Sequence, residues 1–250
     1  MRRQFTKPSF IPAAVLSVVV DVLMLMATPA LASDESASAK PTPDQAIQQL
    51  TDGNARYVQE RSSHPNPGAA RRLQTATEGQ HPFATILSCA DSRVPLEVVF
   101  DQGLGDIFVV RVAGNVCGVD ELGSIEYGVD HVGTPLMVVL GHTQCGAVMA
   151  AAMHAEVHGN IKALIEQIAP AVVKAQAAHA DLHGKDLIPA ATEANVWQSI
   201  EDLFAKSHTM RHCVHEGKAK VVGAIYDIKT GQVHWLGEHP RQGELLKEKD

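Results

Sequence analysis

The residues of this chain best suited to chemistry are Cys89, in Cys89-Ala90-Asp91-Ser92-Arg93, and the pair in His142-Thr143-Gln144-Cys145. Two thiolates and one imidazole are the soft and borderline donors that zinc prefers. A structural zinc site is normally closed by four Cys or His ligands. Here the nearest fourth donor is a carboxylate, Asp91, with Arg93 two residues on. Three firm ligands and one negotiable position describe a catalytic zinc, because water needs a place to bind.

Short apolar runs must position these residues. Residues 83–89 and 135–141 are mostly apolar, and each ends at or beside a ligand: the first at Cys89, the second just before His142. Runs of this length bounded by turn residues read as buried strands of a parallel sheet. After Cys145, the stretch Gly146-Ala147-Val148-Met149-Ala150-Ala151-Ala152 is helix-prone. Strand, ligand-bearing loop and helix make a βα unit, and in open α/β sheets ligands gather at the carboxyl ends of strands. If the two strands are neighbours, all three side chains converge on one metal.

Further strands are expected at 107–112, 221–228 and 233–236, the last two as a terminal hairpin around Lys229-Thr230-Gly231-Gln232. Helices are expected at 44–59, 69–78, 122–131, 145–158, 160–181 and 192–216. The fold class is α/β: a mostly parallel central sheet flanked by helices, with an N-terminal helical arm and a C-terminal edge hairpin. On a helix spanning 145–158, His154 and His158 stand four residues apart, either as a chelating pair or as part of an exposed face.

The first residues have a different purpose. Arg2 and Arg3 precede a mainly apolar run from Ile11 to Met26, and Ala30-Leu31-Ala32 forms a small-residue cleavage signal. Residues 1–32 read as a secretory signal peptide, and Arg2-Arg3-Gln4-Phe5-Thr6-Lys7 fits the twin-arginine pattern. Export by the twin-arginine or the general machinery would place the mature chain in the periplasm. Residues 33–43 are a disordered lead-in, and residues 44–250 form a single domain.

The 250-residue chain carries a net charge of −7, and its export segment is net basic, so the remainder is still more acidic. No long basic run exists, which excludes a nucleic-acid partner. Besides Cys89 and Cys145 the chain has Cys117 and Cys213, which are either free buried thiols or a disulfide.

Taken together, the Cys-Ala-Asp-Ser-Arg and Gly-His-Thr-Gln-Cys-Gly motifs resemble the β-class carbonic anhydrases, in their exported bacterial form and closer to the plant-like subgroup. The resemblance extends through Leu50-Thr51-Asp52-Gly53-Asn54-Ala55-Arg56-Tyr57, Val109-Val110-Arg111-Val112-Ala113-Gly114-Asn115, Ser124-Ile125-Glu126-Tyr127 and Val221-Val222-Gly223-Ala224-Ile225-Tyr226-Asp227. It covers residues 43–237. It implies one Zn2+ per subunit and reversible hydration of CO2 to bicarbonate and a proton by zinc-bound hydroxide. It also implies a homodimer or a larger homo-oligomer.

Asp91 would sit on the metal in a closed form. In an open form Arg93 would hold it off, leaving it to accept a hydrogen bond from the attacking oxygen. Gln102 resembles a glutamine that donates to bound bicarbonate, and Tyr127 a tyrosine that lines the cleft. Two alternatives share these motifs: a hydrolase of carbon disulfide or carbonyl sulfide, and a zinc-binding protein without turnover.

Overall fold

Two runs, Ala84–Ser88 (β1) and Leu136–His142 (β3), are buried at every position. A strand buried on both faces belongs inside a parallel sheet with helices on either side. The computed structural model, which describes residues 40–247, has that arrangement. β1 pairs in parallel with Ile107–Arg111 (β2) on one side and with β3 on the other. β3 pairs in parallel with Lys220–Tyr226 (β4), and Val233–Gly237 (β5) runs antiparallel to β4 at the edge. The order is β2-β1-β3-β4-β5, the expected mostly parallel sheet with its edge hairpin. The expected signal peptide and residues 33–39 of the lead-in lie outside the described residues.

Side chains alternate across each strand. Ile86, Leu136, Val138, Val222 and Ala224 share one core cluster with side chains of Pro43–Val58 (α1) and Leu96–Val99 (α3). Leu87, Met137, Val139 and Val221 share another with Val119–Glu126 (α4), Ile188–Lys206 (α7) and His208–His215 (α8). Gly146–Ala152 (α5) and Asn160–Ala178 (α6) contribute to a third cluster, which contains Cys89 and Cys145.

The N-terminal arm has two unlike parts. α1 starts with a capping box, Thr42 Oγ1 accepting from Gln45 N at 3.3 Å and Gln45 Oε1 from Thr42 N at 2.8 Å, with Pro43 in the first turn. Its Ala46 and Leu50 are fully buried in the core of the same chain. Gly53 lets α1 touch the turn after α3, because a Cβ there would lie 1.8 Å from the Phe100 carbonyl oxygen. Ala69–Glu78 (α2), by contrast, buries none of its residues, and Leu73 is 67% exposed.

Three helical expectations are corrected. The helix expected at 192–216 is two helices, because Ser207 is extended (φ −112, ψ 108) and its hydroxyl caps Met210 N at 3.0 Å, starting α8 afresh. The helix expected at 145–158 ends at Ala152, and His154 has a φ of 50. His154 and His158 therefore do not share a helical face, and the chelating pair is not formed. The segment 122–131 is α4 followed by a π-helical turn, Tyr127–His131. Cys117 and Cys213 are separate buried thiols. Burial pushes Cys117 up to about 12, and the Cys213 thiol donates to Asp130 Oδ1 at 3.6 Å.

Asp101 ties the N-terminal elements to the sheet. Its side chain is wholly buried and accepts from Arg56 Nε, Ser63 N, Ser63 Oγ and His64 N. Burial alone would raise its pKa, but these donors win, and the carboxyl sits below its usual range. A depressed carboxyl stabilises the fold in full above its unfolded pKa near 3.9 and loses that contribution as pH falls through the folded value. Asp101→Asn is expected to cost about 3 kcal/mol at pH 7, since it leaves a buried donor set without its anion. Urea unfolding of both proteins at pH 7 and at about pH 3 checks this, the gap narrowing at the lower pH. Equal stability of the two at pH 7 would contradict it.

Candidate metal centre

β1 and β3 are neighbours in register, with Ser88 opposite Leu140. Cys89, just past β1, therefore emerges beside His142, the last residue of β3. Cys145 follows after a two-residue turn and occupies the N-cap of α5. The Sγ atoms of Cys89 and Cys145 are 3.9 Å apart, and with a His142 ring nitrogen all three ligand atoms lie within 4.8 Å of one another. Cys89, His142 and Cys145 are 4%, 0% and 1% exposed, so water does not solvate these donors. Among the described residues no other group of three such side chains is this close.

The donor set fits a zinc ion. His142 Nδ1 is 2.9 Å from the Thr143 carbonyl oxygen, which can only accept, so that nitrogen carries the proton. Nε2 is then a bare lone pair, and it is buried without any hydrogen-bond partner. A buried unpaired acceptor is costly unless a cation or water completes it. The thiols tell the same story. The Cys145 hydrogen bond pulls Cys89 down, and that bond together with burial pushes Cys145 up. The two sulfurs thus oppose each other's ionisation; a divalent metal would let both be thiolates.

Asp91 stands at the rim of the triad. Arg93 holds it in a two-toothed grip, Nε to Oδ1 at 2.9 Å and Nη2 to Oδ2 at 2.7 Å, with the Arg93 amide on Oδ1 at 2.9 Å. Those Arg93 contacts keep the Asp91 carboxyl well below the usual range. Oδ2 is 3.9 Å from His142 Nε2, close to the nitrogen that faces the metal position. Arg93 Nη2 also donates to the Gln144 carbonyl at 3.3 Å, linking the two ligand loops.

The other two candidates make local contacts of their own. The Gln102 amide donates to the Phe100 carbonyl at 2.8 Å, inside its own loop. Tyr127 is 48% exposed, with its ring near Phe108 and His131. No hydrogen bond among the described residues joins either to Cys89, His142 or Cys145.

Sequence reasoning missed two supporting groups. Gly114 N donates to Cys89 Sγ at 3.3 Å. Its φ of 74 favours glycine, and a Cβ there would also press on Ile168 Cδ1 at 2.6 Å and Ala147 Cβ at 3.1 Å. The other is Thr143, whose carbonyl orients His142 while its hydroxyl accepts from Ile228 N at 3.1 Å. The glycine in Val112-Ala113-Gly114-Asn115 was the available signal for the first; a backbone carbonyl leaves none.

Comparison with known proteins agrees with this geometry. A family model described as carbonic anhydrase matches residues 84–233. The chain is 38% identical over 196 residues to carbonic anhydrase 2 of Mycobacterium tuberculosis, covering 76% of this chain and 91% of that one. Its fold is similar to the β-carbonic anhydrase CafA of Aspergillus fumigatus, with a TM-score of 0.64, 26% identity, and coverage of 81% of this chain and 94% of that one. It is also similar to the β-carbonic anhydrases of Sordaria macrospora, described as tetrameric, with a TM-score of 0.58, 25% identity and coverage of 78% and 98%. A metal triad at the ends of two neighbouring parallel strands, inside a sequence match of this extent, means that the chain belongs to the β-class carbonic anhydrases, zinc enzymes that interconvert CO2 and bicarbonate.

Proposed function

We propose that Cys89, His142 and Cys145 hold one zinc ion per chain, and that Asp91 and Arg93 manage the proton of the attacking water in CO2 hydration. The observation that carries this reading is the bare, buried His142 Nε2 facing two sulfurs, with the Asp91 carboxylate held beside it by Arg93. Zinc in such a site supplies a Lewis acid that brings the pKa of water down to about 7.

The protein's own groups do the rest. The two cysteines and His142 hold the ion, and Thr143 fixes the His142 tautomer by taking the Nδ1 proton into a hydrogen bond. Asp91 Oδ2 accepts a hydrogen bond from the attacking oxygen and so turns its lone pair towards carbon. Because Arg93 keeps Asp91 ionised, the carboxylate orients the proton and does not store it. Loosening that grip would free Asp91 to occupy the water position, the closed form. Gln102 as a bicarbonate donor and Tyr127 as a cleft wall belong to this reading as positions still to be filled at the site.

Two features support a homo-oligomer. β2 is an edge strand whose outer side has no partner strand among the described residues. Nearby apolar side chains are open, Val119 at 81% and Leu104 at 47%. The twin-arginine pattern at Arg2 and Arg3 supports export to the periplasm. The plant-like assignment rests on the sequence around Gln102 and Tyr127 alone.

The test is stopped-flow CO2 hydration by metal-quantified protein across about pH 6.5 to 9, which brackets the ionisation of zinc-held water. Activity should follow zinc content and rise with pH. Carbon disulfide is assayed beside CO2. Stoichiometric zinc with no CO2 hydration at any pH would refute the reading, and turnover of carbon disulfide in its place would identify the related hydrolase.

A further inference from the structure

The end of β2 reaches over the end of β1. Its backbone continues the strand ladder one step past Ser88: Val112 N donates to Ser88 O at 3.1 Å, and Ala90 N to Val112 O at 3.1 Å. The carbonyls of Cys89 and Asp91 fall outside that ladder. Arg111 serves both, with Nε on Cys89 O at 2.9 Å and Nη2 on Asp91 O at 2.6 Å. The planar guanidinium is rigid, so it fixes these two carbonyls relative to each other. Between them lies the peptide that aims one metal-facing sulfur and one carboxylate.

We propose that Arg111 is a positioning residue of the metal centre: by clamping the carbonyls of Cys89 and Asp91 it sets the direction of the Cys89 thiolate and of the Asp91 carboxylate. This rests on the ligand reading above. Three observations distinguish the role from a surface ion pair. Among the described residues Arg111 has no carboxylate partner, and both of its hydrogen bonds end on backbone of the metal loop. The contacts are separate from those of Arg93, which grips the side chain of Asp91 and not its carbonyl. Three residues beyond Arg111, Gly114 N donates to the Cys89 sulfur itself, so one segment holds both the carbonyl and the sulfur of the same ligand. Arg111 is also exposed, so its loss opens no hole in the core.

The experiment compares the wild type with Arg111→Met, which keeps an apolar stem, and with Arg111→Lys, whose ammonium lacks the fork that holds two carbonyls. Each is prepared with zinc and, separately, with Co2+ as an optical probe. Folding is followed by circular dichroism, and metal release by transfer to a chelator. Arg111→Met is expected to fold and to carry the wild-type amount of metal. It should release that metal about 10- to 100-fold faster, the usual range for a group that supports a ligand. Its cobalt d–d bands should shift, and kcat should fall about 10-fold with little change in KM, the mark of misaimed groups. Arg111→Lys should lie between.

A folded Arg111→Met with the wild-type cobalt spectrum and release rate would overturn the proposal. Should that variant fail to fold, wild-type values in Arg111→Lys would overturn it equally. A wild-type protein without a thiolate-to-cobalt charge-transfer band would show that the ligand reading itself is wrong, and the proposal would fall with it. That outcome is separable, because the band reports sulfur ligation whatever Arg111 does.

Discussion

Cys145→Ser is expected to abolish stable zinc binding while leaving the fold intact. The position is unusually suited to that separation. Cys145 is the N-cap of α5 and makes no side-chain capping hydrogen bond there, whereas serine is a preferred N-cap. The substitution removes a soft thiolate, keeps the volume nearly constant and strengthens the local helix start. The variant should melt close to the metal-free wild type. Its zinc affinity should fall by about three orders of magnitude, roughly 4 kcal/mol, and CO2 hydration should fall with zinc content.

Proton release gives a second reading of the same change. Cys89 is pulled towards the thiolate and Cys145 towards the thiol, and zinc held by both sulfurs as thiolates expels the proton that this pair retains without it. Calorimetry in buffers of different ionisation enthalpy should show proton release on zinc binding by the wild type near neutral pH, and a smaller release by Cys145→Ser, which brings one thiol fewer to the metal. The affinity of the wild type should accordingly weaken as pH falls. A Cys145→Ser protein that retained stoichiometric zinc and the full hydration rate would remove Cys145 from the ligand set.

The clustering of Cys89, His142 and Cys145 was legible in the sequence because the first two lie at strand ends with Cys145 three residues on, and apolar runs announce strands. Residues 84–88 and 136–142 are buried on both faces, so apolarity and strand ends coincide there. The 192–216 region was not legible to the same degree. Its helical pattern continues through Ser207, and the break is enforced by that residue's own capping of Met210 together with a hydrogen bond from its hydroxyl to Glu126, far away in sequence. α5 was overextended for a similar reason, since the positive φ of His154 is a tertiary outcome that no local pattern marks.

Gln102 follows Asp101, whose φ of 45 turns the loop so that the Gln102 amide caps Phe100 O. Sequence supplied a plausible residue type at that point but not its direction. Arg111 was visible only as part of a motif, because its partners are backbone carbonyls, which every residue has.

Asp91→Asn and Arg93→Leu should both cripple a fully metallated enzyme, and for different reasons. Asparagine keeps the shape of Asp91 but loses the charge-assisted acceptor, so the attacking oxygen is no longer oriented. The expected loss is about 10²- to 10³-fold in kcat, the range seen when one preorganised polar group at a reacting centre is removed. Arg93→Leu leaves the carboxylate in place but releases it from both guanidinium hydrogen bonds, so that only the backbone amide of residue 93 still holds it. The freed Asp91 lies near the metal-facing Nε2 of His142, so it should move into the position that water needs. X-ray absorption at the zinc edge should then report a carboxylate oxygen in the closed Arg93→Leu protein and none in Asp91→Asn. The double variant decides whether the arginine acts through the aspartate. If Arg93 serves mainly to hold Asp91, adding Arg93→Leu to Asp91→Asn should cost little more, a strongly non-additive cycle. Losses that multiply in the double variant would instead give Arg93 a separate role, and full activity in Arg93→Leu would end the idea of a gate at Asp91.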